Sequence, residues 1–344
     1  MERKKIAITM GDPAGIGPEV VVKALANKEI YEKCIPIVIG DYAALQDAIC
    51  FSKLNLKLLE INAPAEAEGK YGVVEFISLN YLKPGSWVYK ENSALCGEAA
   101  FQYVIHGIAY AKEKAVSAVI TAPISKESIN MAGHPYSGHT EIFAEYTDTK
   151  DYAMLLASGN LRVIHVTTHC ALIEACRLIR KERVLTVIKL ADKGCRMLGI
   201  DNPRIGVAGL NPHCSEDGLF GTEEASEIIP AVQKAQELGI NVEGPVPPDT
   251  VFVKCKAGIY DIVVAMYHDQ GHIPLKLNAF QWDEEKGQFK SVRGINCTIG
   301  LPIIRTSVDH GTAFGKAGEG RANEESMMDA ILAGVEMAKN REIC

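Results

Sequence analysis

Three histidines stand directly behind short apolar runs: His169 in VTTHC, His213 in GLNPHC and His268 in MYHDQG. Runs of that kind read as strands, and in α/β sheets ligands collect outside the carboxyl ends of the strands. Three imidazoles arriving there from three strands can share one divalent cation and leave coordination positions open for a substrate. Their spacings, 44 and 55 residues, make no metal motif by themselves. Any one of the three, taken alone, reads as a hydrogen-bonded loop histidine. Jointly, with Asn211-Pro212 and Asp269-Gln270 beside them, they read as a metal set. His106, His134, His165, His272 and His310 lack that context and read as structural; His165 falls inside an apolar run.

A second group of residues seeks anions. Ser137-Gly138-His139-Thr140-Glu141 reads as a turn entering a helix, where backbone amides and hydroxyls can meet a phosphate. Lys276, Asn296 and Arg305 follow. Arg305 is embedded among Leu301, Ile303 and Ile304, and burying a guanidinium is costly unless it meets a fixed anion. That anion is either a ligand or an internal carboxylate. Near the N-terminus, GDPAGIGPE spaces its glycines as G-x3-G-x-G, unlike the dinucleotide fingerprint G-x-G-x-x-G. It reads as a sharp strand-to-helix turn with Pro18 at the helix start, lining a cleft without gripping a pyrophosphate.

The elements that must position these groups alternate along the chain. Lys5–Met10, Ile35–Gly40, Val116–Ala122, Arg162–Thr167, Arg204–Leu210 and Asp261–Met266 are short, apolar or β-branched, and bounded by turn residues. Between them lie the helical patterns Pro18–Ala26, Gly97–Ala115, Val184–Leu198 and Glu223–Leu238, with Glu325–Lys339 closing the chain. This order predicts α/β layers on a mainly parallel sheet. Asn278–Arg293 departs from the pattern: it is polar, carries a turn signal at Glu285-Lys286-Gly287, and reads as a hairpin excursion. The expected organisation is a first domain of residues 1–125 plus 299–344 and a second of 126–298.

Composition narrows the function classes. The 344 residues are 47% hydrophobic and 23% charged, ordinary for a globular protein of two domains. The net charge of −7, without a basic block, argues against a nucleic-acid partner. No stretch approaches the ~18 apolar residues of a membrane helix, and Ile6–Met10 is too short for a signal-peptide core. The ten cysteines lie singly, with no CxxC pair. A cytoplasmic protein is expected.

GDPAGIGPE, TAPISKESIN, SGHTE, TTH, GLNPH, PPDTVF, AMYHDQG and GLPIIRTSVDHGTA occur in this order. Together they resemble the 4-hydroxythreonine-4-phosphate dehydrogenase family of pyridoxal phosphate biosynthesis, from residue 5 to about 338. The resemblance implies two α/β/α domains like those of isocitrate and isopropylmalate dehydrogenases, an active-site cleft between them, and a homodimer whose subunits share active sites. It places metal ligands on His169, His213 and His268, and substrate ligands on His139, Thr140, Lys276, Asn296 and Arg305. It puts Asp249 of PPDT near the metal, where Asp249 or Lys276 is a candidate base, and the cofactor near Asp309 and Gly311. It implies NAD or NADP and one divalent ion (zinc, magnesium or cobalt).

The implied reaction is oxidation of the secondary alcohol of a 4-phosphorylated 3-hydroxy acid, followed by decarboxylation of the β-keto acid. Two features lean toward a paralogous branch acting on 4-phospho-D-threonate or 4-phospho-D-erythronate. Phe280–Val292 is an insert between Lys276 and Asn296, and TAPISKE replaces the more usual TGPVHK. A hydrolase or acyl-phosphate transferase on the same architecture is the alternative, because fold alone does not choose among chemistries.

Overall fold

The computed structural model describes residues 3–284 and 288–341. The chain divides into two compact units. One runs through Lys150 and takes in Leu301–Ala338; the other is Asp151–Gly300 with the residues from Lys339 onward.

The first unit opens with β1 (Lys4–Thr9), α1 (Gly17–Leu25), α2 (Lys28–Lys33), β2 (Cys34–Ile39) and α3 (Tyr42–Phe51). It continues with β3 (Lys57–Glu60), β4 (Val73–Ile77), α4 (Ala94–Lys112), β5 (Ala118–Thr121), α5 (Lys126–Met131) and α6 (His139–Tyr146). The second unit carries β6 (Ala153–Ser158), β7 (Leu161–His165), α7 (Leu172–Leu178), α8 (Lys181–Met197), β8 (Ile205–Ala208) and α9 (Ile229–Glu237). There follow β9 (Val242–Val246), α10 (Pro248–Lys256), β10 (Ile262–Ala265), α11 (His268–Ala279), β11 (Phe280–Asp283), β12 (Gln288–Val292) and β13 (Ile295–Ile299). The chain then returns to the first unit with β14 (Arg305–Val308) and α12 (Glu325–Asn340).

Strand order in the first unit is β3-β4-β2-β1-β5-β14, and every pairing is parallel. Ile6, Ile8, Ile37, Ile39 and Ile120 are fully enclosed. Parallel strands covered by helices on both faces must be apolar on both sides, so these segments read as continuous apolar runs without alternation. α5 and α6 pack on α4, which places residues 126–150 with this unit. The α4–α5 approach is close: a Cβ on Gly97 would lie 1.9 Å from the Ser128 carbonyl oxygen, so only glycine fits there.

In the second unit the order is β13-β6-β7-β10-β8-β9. β7, β10, β8 and β9 run parallel, while β6 pairs antiparallel with both β7 and β13. The core beneath α10 and α11 includes Leu156, Val163, Val251, Val263 and Leu275. The excursion after Lys276 is the antiparallel hairpin β11–β12; its expected turn, residues 285–287, lies outside the described residues. Among the described residues no helix is long and apolar enough to cross a membrane. Among the described residues no cysteine forms a disulfide.

Candidate active site

The three strand-end histidines belong to neighbouring strands of one sheet. β7, β10 and β8 lie side by side and parallel, so their carboxyl ends share an edge. Two buried polar side chains stitch that edge together. Thr167 Oγ1 donates to the Met266 carbonyl at 2.8 Å. Gln270 accepts from Met266 N (2.7 Å) and donates to the Gly209 carbonyl (2.8 Å), joining the turn after β10 to the turn after β8. Buried amide groups with both ends satisfied fix a geometry at little cost. His169 lies two residues past Thr167, His268 opens α11, and His213 follows β8.

A cavity of about 520 Å³ opens here, lined by Thr168, His169, Cys170, Tyr267, His268 and Asp269 among others. The rings of His169 and His268 are 5.8 Å apart, centroid to centroid. His268 Nδ1 is 2.7 Å from Asp269 Oδ1. A carboxylate only accepts, so Nδ1 carries the proton and Nε2 of the neutral ring keeps its lone pair. This is the tautomer in which an imidazole binds a metal through Nε2, with a hydrogen-bond acceptor behind it.

His213 is held differently. It begins a run of non-glycine residues in the left-handed region, His213, Cys214, Ser215, Glu216 and Asp217, with φ between 44° and 62°. Each costs roughly 1–2 kcal/mol, and strain of this kind collects at functional sites. The buried Glu224 anchors the base of the loop, accepting from Leu210 N (2.8 Å) and Asn211 N (2.7 Å). α10, whose first turn holds the exposed Asp249, packs against the same turn. Burial, then Glu224 and Asp249, pushes the Cys214 thiol up to about 11.

The donor types suit a divalent ion, and the structure makes neighbours of His169 and His268. Among the described residues, however, no group of three His, Cys, Asp or Glu in one chain is close enough to hold an ion. His213 stands outside the pair.

The remaining ligands expected in this unit lie on α11 and β13. Lys276 Nζ sits 5.2 Å from the Phe280 ring centroid, so the first residue of the hairpin packs on this cation. Asn296 pairs with Leu156 in the β13–β6 ladder, and its buried Oδ1 has no hydrogen-bond partner among the described residues. His272, read from the sequence as structural, lies flat on His268 with ring centroids 3.7 Å apart. Burial, then the neighbouring His268, lowers it to about 4.

His139, Thr140 and Arg305 belong to the first unit. His139 opens α6 behind Gly138, and its Nε2 is buried with no partner among the described residues. Burial, then the Arg305 charge, holds its imidazole well below the usual range, so it stays neutral. Arg305 is 2% exposed on β14. It donates to Thr121 Oγ1 at 3.0 Å and lies over the Phe143 ring, 5.8 Å from the centroid.

Asp309 and Gly311 begin a loop that the GDPAGIGPE segment fastens. Ile16 N donates to the Thr312 carbonyl (3.0 Å), and buried Glu19 accepts from Ala322 N (2.6 Å). Lys23 Nζ bonds Glu19 (2.9 Å) and the carbonyls of Gly320 (2.8 Å) and Ala322 (2.7 Å). Sequence reasoning missed this clamp, because its partners lie about three hundred residues apart in the chain.

Comparison with known proteins matches the family model of the pyridoxal phosphate biosynthetic protein PdxA over residues 32–333. The D-threonate 4-phosphate dehydrogenase of Cupriavidus necator is 44% identical, with 98% of each chain covered. The crystal structure of a 4-hydroxythreonine-4-phosphate dehydrogenase from Klebsiella pneumoniae superposes with a TM-score of 0.85 at 44% identity, over 98% of both chains. An isocitrate dehydrogenase from Methylococcus capsulatus shares the fold at 12% identity, with a TM-score of 0.50 over 98% of this chain and 88% of that one. The fold is thus α/β of the isocitrate dehydrogenase type, and the chain belongs to the PdxA family.

Proposed function

We propose that this chain is a nicotinamide- and divalent-metal-dependent dehydrogenase that oxidises the C3 alcohol of 4-phospho-D-threonate and releases the adjoining carboxyl group as carbon dioxide. The observation that carries this reading is the set of three histidines at the ends of adjacent parallel strands, two of them lining one cavity. The names of relatives 44% identical over nearly the full chain support a dehydrogenase over a hydrolase or acyl-phosphate transferase. The hairpin seated on Lys276 supports the sugar-acid branch.

The nicotinamide supplies a hydride acceptor, and the divalent ion supplies a Lewis acid for the C3 hydroxyl and the ketone that succeeds it. His169, His213 and His268 are the metal's ligands. Among the described residues no three such groups converge, and a homodimer with shared sites would complete the set between copies. His139, Thr140, Lys276, Asn296 and Arg305 bind the phosphate and carboxylate. Two of these bring buried, unmatched polar atoms, His139 Nε2 and Asn296 Oδ1, as a site that waits for a polar ligand should. Asp249 or Lys276 takes the hydroxyl proton as hydride leaves C3. The β-keto acid then loses its carboxyl group, and the electron pair of the broken C–C bond is protonated at carbon. Remote grip on the phosphate orients the reacting centre. Asp309 and Gly311 lie in the cofactor loop, which the Glu19–Lys23 clamp holds.

Reduced-nicotinamide absorbance with NAD or NADP, a divalent ion and three substrates tests this. The three are 4-phospho-D-threonate, 4-phospho-D-erythronate and 4-hydroxythreonine 4-phosphate. Preference for the first is expected. Preference for the last would place the enzyme in vitamin synthesis, and no signal with any would remove the dehydrogenase reading.

A further inference from the structure

His213 sits on a loop whose shape its own backbone does not favour. Residues 213–217 are all left-handed, with φ between 44° and 62°, and none is glycine. Such conformations persist only where the surroundings over-determine them. Here the surroundings act at the neck of the loop, where residue 211 meets residues 221–224. Asn211 Nδ2 donates to Glu223 Oε2 at 2.8 Å and to Glu224 Oε2 at 2.9 Å. Glu223 Oε2 also accepts from Thr222 N at 3.0 Å. A Cβ on Gly221 would lie 2.6 Å from Asn211 Nδ2, so the returning chain presses directly on that amide.

Glu224 is the buried member of this neck, at 1% exposure. Its Oε1 accepts from Leu210 N and Asn211 N, while Oε2 takes the Asn211 side chain. The carbonyl just before them, that of Gly209, is taken by Gln270 Nε2 at 2.8 Å. Three consecutive positions of the turn after β8 are thus held from two sides. A Cβ on Gly209 would lie 3.3 Å from Glu224 Oε1 and 2.9 Å from Cys214 Sγ, which leaves the turn no room to slide. Glu224 also opens a single π-helical turn, Glu224–Ile228, ahead of α9. Such widened turns are rare and gather at functional sites.

We propose that Glu224 is a positioning residue: it closes the neck of the 211–224 loop and thereby fixes where His213 stands to receive a divalent ion. This rests on the function proposed above. Being buried, Glu224 acts through the loop and not on a ligand. A neck that loses one of these bonds lets the left-handed run relax toward ordinary backbone angles, and the imidazole moves with it. Metal–ligand distances tolerate only about 0.2 Å of displacement, so a small relaxation is felt as lost affinity. The core beneath α10 and α11 is built from other residues, among them Leu156, Val163 and Val263, so the loop can loosen while the unit stays folded.

The test titrates the full-length, chelator-stripped protein with Co²⁺ alone, read by cobalt absorption, with a thermal melt of every variant. Glu224→Gln keeps the size of the side chain and sets an NH₂ group against the Asn211 amide. Ile37→Ala, a fully buried position of the other unit, is the control for general loss of stability. The expected result is a dissociation constant raised about tenfold to a hundredfold in Glu224→Gln and unchanged in Ile37→Ala. Should Glu224→Gln not fold, Asn211→Ala, which removes the same link from the other side, decides by the same measure. Wild-type affinity in the folded neck variant, or an equal loss in Ile37→Ala, overturns this inference alone. A wild type that binds no Co²⁺, or a His213→Ala variant that binds it as tightly as the wild type, overturns the metal reading, and this inference with it.

Discussion

The His139–Arg305 neighbourhood in the first unit and the histidine-bearing strand ends of the second unit hold their candidate groups in opposite ways. Arg305 sits on β14 at 2% exposure, and His139 Nε2 is enclosed nearby. Both are pre-set by the fold. At the other site His169 and His213 are exposed, and His213 rides on a left-handed turn. Recognition of a fixed charge gains from a rigid, dry setting, where electrostatic interactions are strong. In the proposed reading, a centre that admits a metal, a substrate and a second subunit gains from groups that stay accessible. The two regions therefore fail differently when altered.

The largest effect is expected at the open edge. His213→Ala should lower metal-dependent turnover by about a thousandfold or more, comparable to loss of a unit of catalytic machinery, with little change in melting temperature. Mixing His213→Ala with His268→Ala chains should restore a fraction of the activity if sites are shared between copies. Assays of the separate and mixed proteins read this directly, and a mixture as dead as its components would confine the centre to one chain.

At the buried pocket, Arg305→Met should raise the KM for the phosphorylated substrate about a hundredfold, the scale of a lost charge-assisted contact. The cofactor KM should stay within twofold, and steady-state kinetics check both. Glu19→Gln weakens the clamp on the loop from Asp309 to Ala322. A rise of several-fold in cofactor KM with an unchanged substrate KM is expected, the reverse of the Arg305 pattern. A core change tests neither region: Ile37→Ala, fully buried in the first unit, should cost about 2–5 kcal/mol of stability, seen in urea melts, without altering either KM.

The smallest effect is a pH dependence of stability. Burial lowers His165 to about 3 and holds His139 well below its ordinary value. Both are neutral in the fold, while the unfolded chain takes up their protons below about pH 6.5. The native state binds fewer protons, so this contribution is full above pH 6.5 and is lost as pH falls toward 3. Urea midpoints measured from pH 7 to pH 5 should decline, and the decline should be shallower in His165→Asn.

Much of this was legible in the sequence, for identifiable reasons. Strands such as Lys4–Thr9 and Ile262–Ala265 are buried on both faces, so their apolar runs announced a parallel sheet. His169, His213 and His268 were readable because each directly follows such a run. The antiparallel β6 and β13 were not recognised, since their direction depends on partners remote in the chain. The left-handed run from His213 contains no glycine and so leaves no compositional mark. The stacking of His272 on His268 is legible only once both are known to share one helix. The Glu19–Lys23 clamp is a tertiary contact with no local signature.

The most direct test of the proposed chemistry is a titration of chelator-stripped protein with Co²⁺ in the presence of 4-phospho-D-threonate and NAD. It follows the cobalt absorption and the reduced-nicotinamide band together. Both signals should rise in step, saturate at one ion per active site, and be absent in His213→Ala. Nicotinamide reduction at full rate in the stripped protein, before any ion is added, would contradict a metal-dependent dehydrogenase built on these histidines.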